Sequence, residues 1–250
     1  KLNVRDLADL DAQVPNLTVY AARGSSSTVT AYIRGVGQSD PTWGSDPGVG
    51  IYLDDVYIAR PQGALLDVFD VGRIEVLRGP QGTLYGKNTI GGAIKYISRG
   101  LPRQLEGFGQ LTVGNYGQLD AKAAIGGPIG GEDSGLRARL AVASMNRDGF
   151  GENTYTDQPV SDKEINAARF NLGAYAGDDF DVQFAVDWLD DKSGMRGSQM
   201  LAATPLNAFF PWLGAFPPLD DRYDIRSGMR NLNDFLGKGA SATVNWRPNE

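Results

Sequence analysis

From about residue 106 to residue 247 the chain is written with a period of two. Phe180, Val182, Phe184, Val186 and Trp188 share one face of an extended segment, opposite Asp181, Gln183 and Asp187. Leu136, Ala138, Leu140 and Val142 alternate with Arg137, Arg139, Ala141 and Ala143 in the same way. So do Phe170, Leu172 and Ala174 with Arg169, Asn171 and Gly173, and Leu119, Ala121, Ala123 and Ile125 with Gln118, Asp120 and Lys122. A strand sends successive side chains to opposite faces, so each segment is apolar on one side and polar or small on the other. Six such strands are expected, near 106–114, 117–126, 135–146, 165–176, 180–190 and 238–247. A soluble sandwich with one solvated face accepts this pattern, and so does a membrane barrel with lipid outside and water inside. The connections favour the barrel. They are short or moderate at 126–134 and 177–179 but long at 147–164 and 191–237, with the corner at 115–117 the one short link on the long-loop side. Bacterial barrels have such unequal ends, with short periplasmic turns and longer outer loops.

Composition removes several chemistries. The 250 residues include no cysteine and no histidine, which excludes disulfides, thiolate or imidazole metal ligands and catalytic triads built on them. A net charge of −6 lacks the basic footprint that nucleic acid requires. No apolar run is long enough for a membrane helix; the nearest, 200–219, is broken by Pro205, Pro211, Pro217 and Pro218. The chain opens on Lys1 with no signal peptide, so further residues are expected upstream.

The first hundred residues have a different texture. Val4, Leu7, Leu10 and Val14 fall at helical spacing over 3–14, ended by Pro15. Short strands are expected around 17–20, 28–33, 50–53 and 56–58, with helical turns near 64–67. Residues 70–99 then place two amphipathic strands around Gly79-Pro80, Gly82, Gly86 and Gly91-Gly92, a compact connection of tight turns. A phosphate loop is the obvious chemical reading, and it fails. Gly82 and Gly86 are separated by three residues instead of four, and Asn88 stands where the magnesium-binding hydroxyl belongs.

This ordered series resembles the plug domain of TonB-dependent outer-membrane receptors. Ile33-Arg34-Gly35, Asp46–Tyr57, Arg73–Pro80, Leu84-Tyr85-Gly86 and Gly91–Ile94 are similar to the family's blocks in order and spacing. The resemblance implies an α+β plug domain, residues 1–104, inside a transmembrane antiparallel β-barrel whose N-terminal part is 105–250. A barrel wide enough to enclose a plug needs about 22 strands, so about six are present here and roughly sixteen lie elsewhere. The implied function is TonB-coupled import of a scarce bulky nutrient across the outer membrane of a Gram-negative bacterium. A ferric siderophore is the default cargo. Import of an oligosaccharide or cobalamin, or a passive porin, is the alternative. No enzyme activity, cofactor or bound metal is implied. The expected partners are the periplasmic TonB protein, outer-membrane lipid and a small-molecule cargo such as an iron chelate.

Carried over residue by residue, the resemblance places Arg23, Gln38, Ser39, Trp43 and Tyr57 at the plug apex, as cargo contacts. Arg and aromatic side chains suit anionic chelates and rings. The structural alternatives are that Trp43 covers the plug and that Arg23 pairs with a barrel carboxylate. Arg34, Arg73, Glu75 and Arg78, with Gly79, Pro80, Gly86, Gly91 and Gly92, are expected to be structural or gating residues. Among them, Glu75 and Arg78 are charges on a strand that should be buried inside the lumen, where charges need partners. Asp54-Asp55 reads as a hairpin turn ahead of a metal or acid–base pair. The aromatic segment 206–223 reads as an outer loop that either packs on its neighbours or closes over cargo. No TonB box is recognisable in the residues before Asn3, so that coupling segment is expected upstream of Lys1.

Overall fold

The computed structural model describes residues 7–39, 44–60, 62–64, 69–131, 134–177, 179–199 and 219–248. Trp43, the helical turns expected over 65–67 and most of the aromatic segment 206–223 lie outside the described residues. Of the helix expected over 3–14, residues 3–6 lie outside the described residues, and 7–14 hold one 3-10 turn, Leu7–Leu10, whose two leucines are buried. Its apolar spacing serves burial of those residues, since a short polar-rich segment gains little from helix formation alone.

Two small sheets build the N-terminal part. One is three-stranded, ordered β1 (Leu17–Ala21), β2 (Val29–Ile33) and β3 (Val36–Gly37). The other is four-stranded, ordered β5 (Val56–Tyr57), β4 (Val49–Leu53), β7 (Gly92–Ser98) and β6 (Val71–Arg78), with β4 and β7 parallel. Leu7, Leu17, Val19, Ile33, Val49, Ile51, Ile94 and Tyr96 join the sheets in a single core. Arg34 and Gly35 make the β2–β3 turn with φ of +52° and +79°. Asp54 and Asp55 make the β4–β5 turn with φ of +47° and +66°, the left-handed pair that a two-residue hairpin requires. A four-residue helix, Gly82–Tyr85, caps the connection between β6 and β7. Gly91 donates to the Gly48 carbonyl at 2.8 Å and accepts from Gly79 at 2.9 Å. Next to it Gly92 has φ +145°, and a Cβ there would press on the Leu77 carbonyl.

The C-terminal part is one antiparallel sheet of six strands in chain order, interrupted in sequence by a small outer hairpin. Its members are β8 (Glu106–Val113), β9 (Leu119–Pro128), β10 (Leu136–Arg147), β13 (Lys163–Ala176), β14 (Phe180–Asp191) and β15 (Phe235–Trp246). The hairpin, β11 (Gly151–Asn153) and β12 (Gln158–Val160), stands on the long connection between β10 and β13. All six strands expected from periodicity are present, with ends shifted by up to three residues.

The sheet turns its polar or small face inward, onto the N-terminal part, where Arg139, Ala141, Ala143, Met145, Ala167 and Arg169 are buried. The opposite face is apolar and open. Val142, Phe170, Phe184, Val186 and Val244 are each 43–61% exposed. At one end of the sheet Phe180 and Trp246 are cross-strand partners on that open face. A soluble sandwich buries its apolar face, so this orientation is that of a membrane strand with lipid outside.

Candidate plug apex and plug–barrel contacts

The link between β1 and β2 reaches the end of the six-stranded sheet that carries the long connections. There the Gly24 carbonyl accepts a hydrogen bond from the Arg196 amide. Ser26 Oγ donates to Asp191 Oδ2 at 2.9 Å, and Asn233 Nδ2 donates to Ser26 Oγ at 2.7 Å. Arg23 therefore lies on a backbone turn docked at the rim of the sheet. Gln38, half-buried, lines a small groove with Val29, Ser45, Pro47, Ile58 and Arg60. Ser39 is exposed beside it.

Tyr57 is separated from that groove by the pleat of β5: Ile58 faces the groove, and Tyr57 faces the other side. Its ring lies 5.3 Å from Tyr52, which lies 5.2 Å from Tyr85. Asn88 Nδ2 donates to the Tyr57 hydroxyl at 3.1 Å. Lys95 completes this cluster, with Nζ 2.7 Å from Asp55 and 3.1 Å from the Tyr85 hydroxyl. Burial, with the Tyr57 and Tyr85 hydroxyls nearby, pushes the Tyr52 hydroxyl above the usual phenol range. Burial acts to lower Lys95, but its hydrogen bonds to Asp55 and Tyr85 outweigh it and raise the ammonium above the ordinary lysine value. Asp54 has a structural task, since its Oδ1 accepts from the Ser98 amide at 2.8 Å.

Among the described residues, the charges expected inside the lumen have their partners on the N-terminal part itself. Arg73 is 65% exposed and pairs within its own strand to Glu75 at 2.6 Å. Among the described residues Arg78 reaches the Pro15 carbonyl, at 3.5 Å. The physical reason is topology: β6 is an edge strand, and the six strands of the wall do not cover it. The buried pair between the two parts has the opposite polarity, a carboxylate on the N-terminal part and an arginine on the wall. Arg139 Nε and Nη2 donate to Asp70 Oδ2 and Oδ1 at 2.7 and 2.5 Å, and Nη1 donates to Glu106 at 2.9 Å. Farther along the wall Arg169 pairs with Asp187 at 2.5 Å, its guanidinium 5.5 Å from the centre of the Phe69 ring.

A polar cavity of about 600 Å³ separates the N-terminal part from the wall above these pairs. Asp9 and Ser26 bound it on one side; Asp120, Lys122, Lys163 and Tyr223 bound it on the other.

A small mixed-sheet unit packed against the polar face of a sheet that is apolar outside is the arrangement of a plug in a barrel wall. The family described as TonB-dependent Receptor Plug Domain matches residues 1–93. Residues 1–93 are a TonB-dependent receptor plug domain. The chain is 33% identical over 186 residues to the pesticin receptor of Yersinia enterocolitica, covering 73% of this chain and 25% of that protein. To the iron-regulated outer membrane virulence protein of Vibrio cholerae it is 35% identical over 121 residues, 43% of this chain and 17% of the relative. The crystal structure of the ferric yersiniabactin uptake receptor of Yersinia pestis superimposes with a TM-score of 0.69 at 25% identity, covering 77% of this chain and 30% of that one. The chain spans about a quarter of the length of the curated relatives it matches first. It holds the receptor plug and the first barrel strands; the sheet ends in two open edges, β8 and β15. The family is one of transporters and receptors rather than enzymes.

Two receptor residues are invisible to reasoning from sequence. Asp70 stands just before the signature strand, and Arg139 is one polar position among many in an alternating strand. No local signal marks them as partners, because 69 residues separate them.

Proposed function

We propose that the complete receptor is a TonB-coupled importer of a ferric chelate, of siderophore type, across the outer membrane of a Gram-negative bacterium. Residues 1–104 act as the plug, and 105–250 form the first part of the lipid-embedded wall. The observation that carries this reading is the orientation of the wall: its apolar face is open, and its polar face is packed on the plug. Such a wall stands in lipid, and a plugged lumen needs an energy source to open, which a porin does not. The ferric-chelate relatives support the cargo class. Arg23 and Gln38 are the foremost cargo contacts, with Ser39 beside them, because a rim turn and an adjoining groove carry them. Trp43 and Tyr57 are secondary contacts. The exposed β6 charges Arg73, Glu75 and Arg78 gate the plug against wall strands outside this chain, and Arg34 holds the β2–β3 turn.

The test is uptake of iron-labelled chelates, ferric yersiniabactin and ferric citrate among them, in a strain lacking the gene. Loss of uptake on deletion, and in wild type after dissipation of the proton-motive force, is expected. Uptake that survives an uncoupler identifies a passive channel. Deletion that spares iron uptake but abolishes cobalamin uptake assigns a different cargo.

A further inference from the structure

Asp191 is a carboxylate at the rim end of β14 that is 2% exposed. Among the described residues, two neutral donors hold it. Oδ1 accepts from the Ser193 amide at 2.9 Å, and Oδ2 accepts from Ser26 Oγ at 2.9 Å. The second donor comes from the plug. A buried carboxylate depends strongly on each of its donors, so the plug turn and the rim are energetically coupled through this oxygen. Asn233 closes the triangle from the far end of the same outer connection. Its Nδ2 donates to Ser26 Oγ at 2.7 Å, and its Oδ1 accepts from Ser25 Oγ at 3.3 Å. The Arg196 amide adds a main-chain bond to the Gly24 carbonyl. Gly24 has φ +74°, and a Cβ there would lie 2.8 Å from the Arg196 carbonyl, so the two backbones meet without room for a side chain.

We propose that Ser26, Asp191 and Asn233 form a latch that binds the plug apex turn to both ends of the outer connection 192–234. Cargo that displaces the turn carrying Arg23 thereby shifts the described ends of that connection, 192–199 and 219–234. The three are positioning residues, acting through the turn rather than on the cargo. The connection is also tied down elsewhere: Ser161 accepts from Gly197 through Oγ at 3.0 Å and donates its amide to the Met195 carbonyl at 2.9 Å. The latch is therefore the plug's own hold on an outer segment that the barrel otherwise fixes. This rests on the apex assignment above for its cargo arm, and on geometry alone for the rest.

The experiment is amide hydrogen exchange on the full-length receptor, comparing wild type with Ser26→Ala, Ser26→Thr and Asn233→Ala. Without cargo, Ser26→Ala and Asn233→Ala are expected to speed exchange at Ser193 and Arg196 by about tenfold or more, while Ser26→Thr, which keeps the hydroxyl, stays near wild type. With saturating ferric yersiniabactin, wild type changes its protection over 192–199 and Ser26→Ala does not. Unchanged exchange in the alanine variants overturns the latch, as does a wild-type cargo response in Ser26→Ala. Failure of the chelate to bind wild type counts against the cargo class and leaves the cargo-free comparison to decide the latch.

Discussion

Asp70 and Arg139 meet face to face across the plug–wall boundary, each side chain 1% exposed, in a two-pronged ion pair of 2.5 and 2.7 Å. Asp70 holds φ +50°, and its carbonyl also accepts from the Arg99 amide at 3.0 Å, so the pair pins the start of β6 beside the end of β7. That place is close in sequence to Glu106, where the chain enters the wall and where Arg139 finds its third bond.

Removing Arg139 leaves the Asp70 carboxylate buried without its partner, which costs about 3–5 kcal/mol, whereas removing Asp70 leaves Arg139 still paired with Glu106. Arg139→Met should therefore lower the unfolding midpoint of the plug sharply, and Asp70→Asn by less, since a neutral amide still accepts from the guanidinium. Protease accessibility of residues 69–99 and calorimetry are the checks. Equal, small effects for both variants would argue against a tight pair.

The wall can be probed by an adjacent pair of positions on β14. Phe184 is 52% exposed on the apolar face, and Gln183 is its half-buried neighbour on the polar one. Phe184→Arg should cost about 2–4 kcal/mol if that face lies in the bilayer, and Gln183→Arg much less. Folded yield in outer membranes, read as heat-modifiable mobility, distinguishes them. Equal tolerance would favour a solvated face.

Lys95 supplies a pH test. Its folded value is raised above the ordinary 10.5, so the charged form is favoured in the native state. The resulting stability is fully present below the unfolded value and is lost as pH rises through the folded one. Thermal unfolding between about pH 9 and 12 should show this loss in wild type and a shallower one in Asp55→Asn. Identical slopes would remove the Asp55 contact from the account.

Gly92 tests the plug's turn chemistry. At φ +145°, with the Leu77 carbonyl in the way, Gly92→Ala forces strain or displacement of β6, at about 1–3 kcal/mol. The nearby exposed Gly82, where an added methyl would meet nothing within 4 Å, should accept alanine at little cost. Denaturant midpoints of the two variants decide.

For cargo, Gln38→Ala should weaken ferric-chelate affinity by about 5–10-fold, the worth of one lost polar contact. Tyr57→Phe should leave it within about twofold, because that hydroxyl is engaged by Asn88 on the far side of β5. Titration of the chelate by fluorescence quenching reads both, and a larger effect at Tyr57 would move the binding surface to the tyrosine face.

What the chain states locally was legible from its residues alone. The six wall strands follow from a period of two, which any extended backbone converts into two faces. The Asp54-Asp55 hairpin follows from side chains that tolerate left-handed φ, and the family's glycine blocks were recognisable one by one. The 3-10 form of Leu7–Leu10 was not, because these leucines owe their shape to the core they enter. Tertiary structure alone decided which face of the wall meets the plug and that Tyr57 and Gln38 part at β5. It also decided that, among the described residues, the buried charge pair across the boundary is Asp70 with Arg139. These are contacts between residues distant in sequence, and their energy comes from desolvation, which exists only once the two surfaces have closed on each other.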